Sequence, residues 1–353
     1  MKTKIHTIIG TRPEIIKMSQ LIPLLDGNFE HRFIFTSQHY SKNMVDIFLD
    51  ELGVREPDIF LGVKSSDHSS LKDAIRPKIA ELKPDYVLTY GDTNSTLAAA
   101  MATKELEINL IHVEAGLRSF DNSMPEEMNR IKTDGLSDYL FTPTELTKHF
   151  LGKEGITNNV FVVGNTVVDA CLTYSKIANE KSKILDELKI EKDNYVLVTA
   201  HRQENVDNPE RLLKILNSLS DLPLTVIFPI HPRTKKRVTE NNYKIHENIR
   251  VIDPLGYLDF LKLMMHSSLI ITDSGGIQEE AITLKIPCLT IRTSTERWET
   301  IITGGNFLVG VEPDLVKYHA KMILESGLGR RMRKVPNPYG DGTTSEKIIE
   351  ILR

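Results

Sequence analysis

The chain has 353 residues, and at roughly 150 residues per domain this length favours two domains with sizeable cores and excludes a small stapled scaffold. Hydrophobic residues at 40% and charged residues at 26% exclude a disordered or fibrous chain. The formal net charge is −4, which gives no general electrostatic reason to bind nucleic acid or an anionic membrane. An anionic ligand must therefore be held by a local site.

Short apolar runs alternate with longer amphipathic stretches along the whole chain, which is typical of strands that feed crossover helices in a parallel sheet. The first series of predicted strands is Ile5–Gly10, His31–Ser37, Asp85–Gly91, Asn109–Glu114, Asp138–Pro143 and Val160–Asn165. The second series is Tyr195–Ala200, Leu224–Ile230, Ile249–Asp253, Leu269–Ser274 and Pro287–Arg292. Helical patterns fill the intervals, beginning with Pro13–Leu25. The sequence therefore predicts an α/β protein with two doubly wound domains facing each other across a cleft.

The segment 171–194 separates the two series, and its late part, SKIANEKSKILDELKIEKDN, is highly charged and contains no strand-like run. It predicts a helix that leads into a surface linker, because charged helical sequence without a wide apolar stripe is not deeply buried. The predicted domains are residues 1–170 and 195–340, followed by a C-terminal helix within residues 341–353. Residues 327–342 predict a loop before the last short helix, Ser345–Arg353.

Targeting and redox signals indicate a cytoplasmic protein. Cys171 and Cys288 lie far apart and form no CxxC or Cys/His cluster, so neither a zinc site nor a disulfide framework is predicted. The apolar stretch Ile5–Gly10 is too short for a signal peptide and runs into charged residues. No other run approaches the roughly 18 apolar residues of a membrane span, so we expect no membrane partner.

Polar residues that follow the strands are the first candidates for a site, because doubly wound sheets bind ligands beyond the carboxyl ends of their strands. Gly10–Glu14 ends the first strand and opens a helix, so Arg12 and Lys17 could reach an anion near a helix N-terminus. An arginine in such a loop is more often simply solvated. This segment indicates an anion site only in combination with others.

Three carboxylates follow later strands of the first series: Asp92, Glu114 and Glu126. A single one would usually be an N-cap or a surface ion-pair partner, and Asp92 is a candidate N-cap. Three carboxylates in one cleft would instead shift one another's pKa values apart and supply both an acid and a base. Proton transfer at carbon is therefore one hypothesis for this domain.

A Ser-Gly-Gly turn ends the strand Leu269–Ser274 of the second series. Ser274, Gly275 and Gly276 let backbone N–H groups approach a diphosphate at the start of the next helix. Glu280, one turn into that helix, could accept hydrogen bonds from ribose hydroxyls. The alternative is a glycine pair that serves only helix–strand packing. There is no GxGxxG and no Walker lysine, so a nucleoside diphosphate fits better than a dinucleotide or a triphosphate.

Histidine and arginine follow two successive strands of the second series, as His201-Arg202 and as His231-Pro232-Arg233. Either histidine could contact a phosphate or protonate a leaving group, although a histidine at a strand end is about as often structural. Arg297 could add a further cation. Metal binding is not predicted, because the sequence has no HExxH, EF-hand loop or DxD pair.

Together these segments resemble one family, the non-hydrolysing UDP-N-acetylglucosamine 2-epimerases. The matching elements occur in family order from residue 9 to about residue 310 and are GTRPEIIKM, TSQHY, GDTNST, HVEAGLRSFD, MPEEMNR, GNTVVDA, AHRQEN, PIHPRT, DSGGIQEEA and TER. The resemblance implies two Rossmann-like domains in the GT-B arrangement, UDP in the interdomain cleft and a homodimer formed through the N-terminal domain. It implies an isomerase without metal or nicotinamide cofactor, which expels UDP from C1 as the C2 proton leaves and adds UDP back to the 2-acetamidoglucal.

The resemblance also assigns residues. Asp92, Glu114 and Glu126 would be the acid–base carboxylates, and His201 would lie by the diphosphate. The substrate-binding residues that it implies are Arg12, Lys17, Gln38, His39, Arg130, Arg202, His231, Leu255, Phe260, Ser274, Gly275, Gly276, Glu280 and Arg297. Some bacterial members bind a second substrate molecule as an activator through a QHxxQ segment. Here the segment is QHYSK without the second glutamine, and Gln38, His39, Arg202 and His231 are the candidate contacts.

Several functions share these motifs. The main hypothesis is interconversion of UDP-GlcNAc and UDP-ManNAc, which would serve polysaccharide biosynthesis. A sister epimerase acts on UDP-2,3-diacetamido-2,3-dideoxyglucuronic acid, but the TER segment with Arg297 favours the first. A GT-B glycosyltransferase would also use the Ser-Gly-Gly turn, yet it needs fewer carboxylates near C2. A non-catalytic sugar-nucleotide sensor would tolerate loss of the carboxylates, and all three are present.

Overall fold

The computed structural model describes residues 2–37 and 48–353. The chain divides into two units, one formed by Met1–Ala170 with Tyr339–Arg353 and the other by Cys171–Pro338. Each unit is built on its own parallel sheet, which confirms the predicted fold class of two doubly wound α/β domains. The predicted helix and linker 171–194 lies in the second unit, where Ile184 and Leu185 are buried in an apolar cluster.

The first unit has a seven-stranded sheet in the order β3-β2-β1-β4-β5-β6-β7 with parallel pairings. Its strands are β1 Lys4–Ile9, β2 Glu30–Phe35, β3 Ile59–Phe60, β4 Tyr86–Tyr90, β5 Asn109–Val113, β6 Tyr139–Thr142 and β7 Val160–Val162. The strand order reverses between β1 and β4, and doubly wound sheets bind ligands beyond the carboxyl ends at such a switch point. The loops after β1 and β4 therefore flank the expected binding crevice of this sheet.

The helices of the first unit include a break that the sequence pattern did not predict. They are Arg12–Met18, Leu21–Asn28, His68–Leu82, Asn94–Glu105, Pro125–Leu136, Glu145–Lys153 and Thr344–Leu352, while Thr166–Lys181 spans the division at residue 170. The predicted single helix Pro13–Leu25 is wrong, because it is two helices. Pro23 has no N–H for the carbonyl of Ser19 and its ring would clash there, so it fits only the first turn of a new helix.

The second unit repeats the same strand order in a six-stranded sheet, β10-β9-β8-β11-β12-β13, again parallel. Its strands are β8 Tyr195–Thr199, β9 Thr225–Pro229, β10 Ile249–Ile252, β11 Leu269–Thr272, β12 Cys288–Thr290 and β13 Asn306–Leu308. The order reverses between β8 and β11, so the loops after these two strands flank the second switch point.

The helices of this unit are Ile184–Leu188, Gln203–Val206, Pro209–Leu219, Pro232–Glu240, Tyr257–Met265, Gly275–Thr283, Trp298–Ile302, Pro313–Glu325 and Leu328–Met332. The last of them corrects the prediction of a loop over residues 327–342, since Met332 is buried in the core and holds this turn. Over the described ranges, none of the helices combines the length and the apolar character needed to cross a membrane.

The C-terminal segment returns to the first unit and fixes the turn after β7. The N–H of Asn165 donates to the carbonyl of Tyr339 at 2.9 Å. The carboxylate of Asp169 accepts from the N–H groups of Thr344 at 3.2 Å and Ser345 at 2.7 Å, which satisfies the first turn of the last helix. Gly164 has φ +100, and a Cβ there would lie 2.8 Å from the Tyr339 carbonyl oxygen. Residues 164–169 and the C-terminal segment are therefore packed as one element.

A buried histidine in β1 predicts acid sensitivity of the fold. Burial lowers the pKa of His6 from 6.5 to about 4, helped by the nearby charges of His31 and Arg32. As the pH falls, His6 of the unfolded chain takes up a proton near pH 6.5, whereas His6 of the folded chain does so only near pH 4. The stability that is present above pH 6.5 is therefore lost progressively as the pH falls toward 4. At about pH 5 the loss due to His6 should be about 2 kcal/mol relative to about pH 7.5.

Urea denaturation of wild type and His6→Gln at both pH values measures this difference. The variant should lose about 2 kcal/mol less on acidification. His149→Gln, a substitution of an exposed histidine in the same unit, should leave the pH dependence of the unfolding free energy unchanged. An equal pH dependence in wild type and His6→Gln would contradict the assignment.

Candidate functional site

Glu14 ties together the two loops that flank the first switch point. Its Oε2 accepts from the N–H groups of Gly10 at 3.0 Å and Thr11 at 2.7 Å, in the loop after β1. Its Oε1 accepts from the hydroxyls of Thr93 at 3.1 Å and Thr96 at 3.2 Å, in the segment after β4. Burial raises the pKa of Glu14, and these donors oppose the rise. The crevice therefore has a fixed floor that the sequence analysis did not identify.

Glu114, which directly follows β5, is a buried carboxylate with a cation and two neutral donors on one oxygen. Its Oε2 lies 2.6 Å from Nζ of Lys17, 3.0 Å from the hydroxyl of Tyr90 and 3.0 Å from Nδ2 of Asn165. The residue is 5% exposed, so the ammonium of Lys17 compensates a charge that would be costly to bury alone. The structure thus brings two predicted site residues, Lys17 and Glu114, into direct contact.

The other oxygen of Glu114 faces the turn that carries Asp92. A Cβ added to Gly91 would lie 3.5 Å from Oε1 of Glu114. Strands β4 and β5 are paired with Tyr90 opposite Val113, so Asp92 and Glu114 follow neighbouring strand ends. Glu114 has φ +71, a left-handed conformation that is strained for a residue with a side chain and that occurs at functional sites. Two of the three predicted carboxylates therefore lie at adjacent positions beside the switch point.

Asp92 is held by an arginine and is not an N-cap. The cap of helix Asn94–Glu105 is Thr93, whose hydroxyl accepts from the N–H of Thr96 at 3.2 Å. The Asp92 carboxylate instead accepts from Nη1 of Arg130. Arg130 is fully buried, whereas 27% of the Asp92 side chain is exposed. Asp92 is thus a carboxylate that contacts a buried arginine and still has exposed surface that a ligand can reach.

Glu127 anchors that arginine. Its Oε2 lies 2.7 Å from Nη2 of Arg130 and accepts from the N–H of Ser119 at 2.8 Å, while Oε1 accepts from the N–H of Phe120 at 2.9 Å. The sequence predicts Glu126 as the site residue of the Glu126-Glu127 pair, whereas in the structure it is Glu127 that supports Arg130. Glu127 therefore fixes the guanidinium that Asp92 contacts.

Glu126 lies in the first turn of helix Pro125–Leu136, where a negative charge is favourable to the helix dipole. It is half-buried and precedes Arg130 by four residues, so the two share a helix face. Within the part of the chain that the structure describes, no hydrogen bond joins Glu126 to Asp92 or Glu114. Glu126 therefore lies on the helix face that carries Arg130, the partner of Asp92, and, within the described ranges, forms no hydrogen bond with either of the other two carboxylates.

A buried ionic cluster supports the Gly91 turn from below. His112 contacts the carbonyl of Gly91 through Nε2 at 2.8 Å and the carboxylate of Asp134 through Nδ1 at 2.7 Å. Nη1 of Arg118 lies 2.7 Å from the same carboxylate. Burial alone would raise the pKa of Asp134, but the contacts with His112 and Arg118 lower it below its usual value. The cluster fixes the backbone that positions Asp92.

Arg12 opens the helix after β1, and its Cζ lies 4.6 Å from the centre of the Phe48 ring. A guanidinium over an aromatic face is held in place by cation–π attraction. Gln38 and His39, which the resemblance adds to the candidate set, lie outside the described residues.

In the second unit, Asp273 joins the two loops at the switch point. Strands β8 and β11 pair with Thr199 opposite Thr272, and the Asp273 carboxylate accepts from the N–H groups of His201 at 3.0 Å and Arg202 at 2.9 Å. Nδ1 of His201 also lies 3.2 Å from Asp273. Burial would raise the pKa of Asp273, but these donors lower it. The His201 side chain is 42% exposed, so the ring presents its Nε2 side outward.

The Ser-Gly-Gly turn follows directly. Ser274 is the N-cap of helix Gly275–Thr283, and its side chain makes no cap hydrogen bond with the helix. Gly275 and Gly276 are the first two residues of the helix, so their N–H groups lie at the positive end of its dipole. A Cβ on Gly275 would lie 2.5 Å from Oε1 of Glu296, whereas one on Gly276 would meet no protein atom within 4 Å. The first glycine is required by packing, and the second leaves space above the helix N-terminus.

Arg297 lies beneath this turn. Its Nε is 2.7 Å from Oε1 of Glu279 and its Nη1 is 3.4 Å from Oε1 of Glu296. The residue is 3% exposed, and a Cβ on Gly275 would lie 3.7 Å from its Cζ. The guanidinium therefore supports the turn from inside the unit, paired with two carboxylates.

Glu280 is positioned by a tyrosine that the sequence analysis missed. The hydroxyl of Tyr257 donates to Oε1 of Glu280 at 2.8 Å, and the two rings of Tyr257 and Tyr174 pack edge to face. Burial raises the pKa of Tyr257 well above its usual value, so the phenol remains a donor. Leu255 and Phe260 flank Tyr257 in the sequence, and both are partly buried against the apolar cluster that contains Ile184 and Leu185.

His231 follows β9 as the N-cap of helix Pro232–Glu240, and its ring centre lies 5.8 Å from that of His201. Burial and the charge of His201 lower the pKa of His231. Nη2 of Arg202 lies 3.9 Å from Oε1 of Glu296, the carboxylate that packs against Gly275. This contact connects the loop after β8 to the Ser-Gly-Gly turn. The predicted residues of the second unit that follow β8, β9 and β11 are therefore neighbours.

The chain is similar to known proteins of one family along nearly its whole length. A family model described as UDP-N-acetylglucosamine 2-epimerase matches residues 25–353. The UDP-N-acetylglucosamine 2-epimerase of Methanocaldococcus jannaschii is 45% identical over 365 residues, covering 99% of this chain and 98% of that protein. A crystal structure of Methanocaldococcus jannaschii UDP-GlcNAc 2-epimerase in complex with UDP-GlcNAc and UDP has a TM-score of 0.91 at 44% identity, with 99% of each chain covered. The UDP-2,3-diacetamido-2,3-dideoxy-D-glucuronate 2-epimerase of Pseudomonas aeruginosa is 37% identical, covering 99% of both chains.

These matches extend over nearly the full length of a chain that forms two doubly wound α/β units. The protein is an enzyme of the isomerase class. It belongs to the UDP-N-acetylglucosamine 2-epimerase family, as the resemblance of its motifs implied.

Proposed function

We propose that this protein is a UDP-N-acetylglucosamine 2-epimerase that interconverts UDP-GlcNAc and UDP-ManNAc. The observation that carries the proposal is the pair of carboxylates at neighbouring strand ends, Glu114 beside Lys17 and Asp92 beside Arg130. Membership of the family and 45% identity to the Methanocaldococcus jannaschii enzyme support UDP-GlcNAc as the substrate.

Inversion at C2 requires a proton to leave one face of the sugar and a proton to return on the opposite face. In the forward step a base takes the C2 proton, and the electrons of the C2–H bond form the C1=C2 double bond. The C1–O bond breaks at the same time, and UDP leaves with the electron pair of that C1–O bond. Re-addition of UDP to the 2-acetamidoglucal reverses the electron flow. Carboxylates serve as base and, once protonated, as acid, and we assign these roles to Asp92, Glu114 and Glu126. The proposed reaction needs no metal or nicotinamide, because its intermediate is the 2-acetamidoglucal and not a ketone, so no hydride has to be removed and returned.

The second unit would hold the nucleotide. The N–H groups of Gly275 and Gly276 with the Ser274 hydroxyl suit the diphosphate. Glu280, with one oxygen on Tyr257, would accept hydrogen bonds from the ribose, and Phe260 with the backbone near Leu255 would contact the uracil. His201, oriented by Asp273, would assist the departure of UDP.

Further substrate contacts are proposed from the family motifs. Arg12 and Lys17 would act as cations near the reacting sugar, and Arg297 would act through the Ser-Gly-Gly turn. Gln38, His39, Arg202 and His231 remain candidates for a second, activating substrate molecule. Arg130 would act through the carboxylate that it contacts, Asp92.

The role of Arg130 predicts the effect of Arg130→Lys. A lysine keeps the charge but lacks the planar fork that contacts Glu127 and Asp92 together. The rate of epimerisation should fall about 10- to 100-fold, the loss expected when one charged hydrogen bond is removed. Binding of UDP should stay within about twofold, because the second unit carries the nucleotide contacts.

Turnover kinetics and UDP titration calorimetry measure these two quantities. Arg76→Lys changes an exposed arginine that contacts Glu105 at 3.2 Å and should alter neither. Unchanged turnover in Arg130→Lys would contradict the proposed support of Asp92.

The proposed activity is tested by incubating the protein with UDP-GlcNAc and no acceptor, and following the sugar H1 and H2 couplings by NMR. An epimerase yields a second UDP-sugar with manno couplings. A glycosyltransferase would yield no isomer, and the sister epimerase would act on UDP-2,3-diacetamido-2,3-dideoxyglucuronic acid in a parallel tube. The assignment fails if UDP-GlcNAc remains unchanged.

We also propose that the protein is a cytoplasmic homodimer whose product serves polysaccharide biosynthesis. Support for the compartment comes from Cys171 and Cys288, which are both buried and free. Support for the dimer comes from the family resemblance of the first unit. Light scattering coupled to size exclusion tests the oligomeric state, and a mass near the 40.0 kDa of one chain would contradict it.

A further inference from the structure

Glu114 receives more hydrogen-bond donors than an ion pair with Lys17 requires. The hydroxyl of Tyr90 and Nδ2 of Asn165 each lie 3.0 Å from the same oxygen, Oε2, that Lys17 contacts. An oxygen with three donors is a poor proton acceptor. Because Oε1 faces Gly91, the arrangement separates the two oxygens of one carboxylate into a held side and a side toward the Asp92 turn.

The hydrogen of the Tyr90 hydroxyl is directed by its neighbours. The Thr166 hydroxyl donates to the Tyr90 oxygen at 3.2 Å. Oδ1 of Asn165 lies 3.0 Å from the Tyr90 hydroxyl but already accepts from the N–H of Val167 at 3.1 Å. Donors prefer a charged acceptor over a neutral one, so the Tyr90 hydrogen points to Glu114.

Asn165 is in turn fixed by the end of the chain. Its N–H donates to Tyr339 at 2.9 Å, and Asp169 in the following helical turn binds the N–H groups of Thr344 and Ser345. Asn165 is 2% exposed and Tyr339 is fully buried. A side chain anchored in this way has little freedom to leave Glu114.

We infer that Tyr90 and Asn165 are positioning residues, which hold Oε2 of Glu114 and keep Oε1 directed to the reacting carbon. The inference rests on the proposed function, because it assigns the two residues to the acid–base step of that reaction. Neither residue needs to touch the substrate. Their loss should slow proton transfer at C2 without weakening the nucleotide contacts of the second unit.

A double-mutant cycle separates this role from a general effect on the fold. Wild type, Tyr90→Phe, Glu114→Asp and the double variant are incubated with UDP-GlcNAc in deuterated water, and deuterium at C2 is measured by NMR. Glu114→Asp keeps a carboxylate but withdraws it by one methylene from the Tyr90 hydroxyl. Tyr86→Phe is the matched control, since Tyr86 begins the same strand and packs on Tyr139.

Tyr90→Phe should lower the exchange rate about 10-fold in the wild-type background, the effect of one hydrogen bond to a charged group. In the Glu114→Asp background it should change the rate less than about twofold, since coupled residues are not additive. KM and the Kd of UDP should stay within about twofold in both. Asn165→Asp, which keeps the acceptor for Val167 and replaces the donor by a like charge, should slow exchange at least as much as Tyr90→Phe.

An equal loss in both backgrounds, or an unchanged rate in Tyr90→Phe, overturns the inference. If Tyr90→Phe does not fold, Asn165→Asp takes its place in the same cycle, with the same two outcomes. Absence of exchange in the wild type contradicts the proposed function itself, and that result is seen before any variant is compared.

Discussion

Asp92→Asn should lower deuterium incorporation at C2 of UDP-GlcNAc on the order of 1,000-fold, within the range of a lost general acid or base. An asparagine amide neither removes nor returns a proton at neutral pH. The fold should persist, because Arg130 keeps its contacts of 2.7 Å and 3.1 Å with Glu127. This is the largest effect expected of any single substitution in the first unit.

The nucleotide contacts provide the internal control for this variant. UDP should bind Asp92→Asn within about twofold of wild type, because the proposed nucleotide contacts all come from residues of the second unit and none comes from Asp92. Asp73→Asn, which changes an exposed aspartate in helix His68–Leu82, should alter neither exchange nor binding. If UDP binding vanished together with exchange, Asp92 would be a structural residue and its assigned role would be wrong.

Gly275→Ala should weaken UDP binding about 10- to 100-fold, from the usual strain of an overpacked site. The new Cβ would lie 2.5 Å from Oε1 of Glu296, whose neighbour Arg297 is enclosed beneath the same turn. Either the helix N-terminus or the buried ion pairs must move. Both changes displace the N–H groups that would hold the diphosphate.

Two further glycine substitutions show where that loss comes from. A Cβ on Gly276 meets no protein atom within 4 Å, so Gly276→Ala should weaken UDP binding only if the diphosphate occupies the open space. Gly27→Ala lies in a helix of the first unit, also meets nothing, and should change nothing. Calorimetric titration with UDP measures all three. Full affinity in both Gly275→Ala and Gly276→Ala would place the diphosphate elsewhere.

The fold was predictable where local pattern decides it. Short apolar runs predicted the central strands of both sheets, although β4 and β5 each end one residue before the predicted end, where Gly91 and Glu114 turn the backbone to positive φ. Strands β3 and β13 were not predicted, because two or three residues carry no usable alternation. The break between helices Arg12–Met18 and Leu21–Asn28 was not predicted, because the helical pattern continues through Pro23.

The site was predictable residue by residue but not as a set of contacts. Strand ends and motif resemblance identified Asp92, Glu114 and the Ser-Gly-Gly turn. The supporting residues were missed, since Asn165 lies 51 positions from Glu114 and Tyr257 lies 23 positions from Glu280. The order of the strands in the sheet decides which loops lie next to each other, and the spacing of residues in the sequence does not give that order. Asn165 did lie inside the GNTVVDA segment, which was the one available signal.

The sequence pattern also did not predict that the C-terminal segment packs against the first unit. Residues 341–353 predict a short C-terminal helix, and the packing of this helix depends on Asp169, whose carboxylate accepts two backbone N–H groups. That contact joins positions 175 and 176 residues apart. A tertiary contact of this kind overrides what local propensity predicts.

The central claim is that UDP leaves and returns while the C2 proton is exchanged. It is tested most directly with UDP-GlcNAc that carries a heavy oxygen isotope in the C1–O–P bridge, incubated with the protein in deuterated water. We expect deuterium at C2 together with movement of the label into the non-bridging oxygens of the β-phosphate, because the β-phosphate oxygens become equivalent once the bridge is broken. A manno product that keeps both its C2 hydrogen and its bridging label would contradict it.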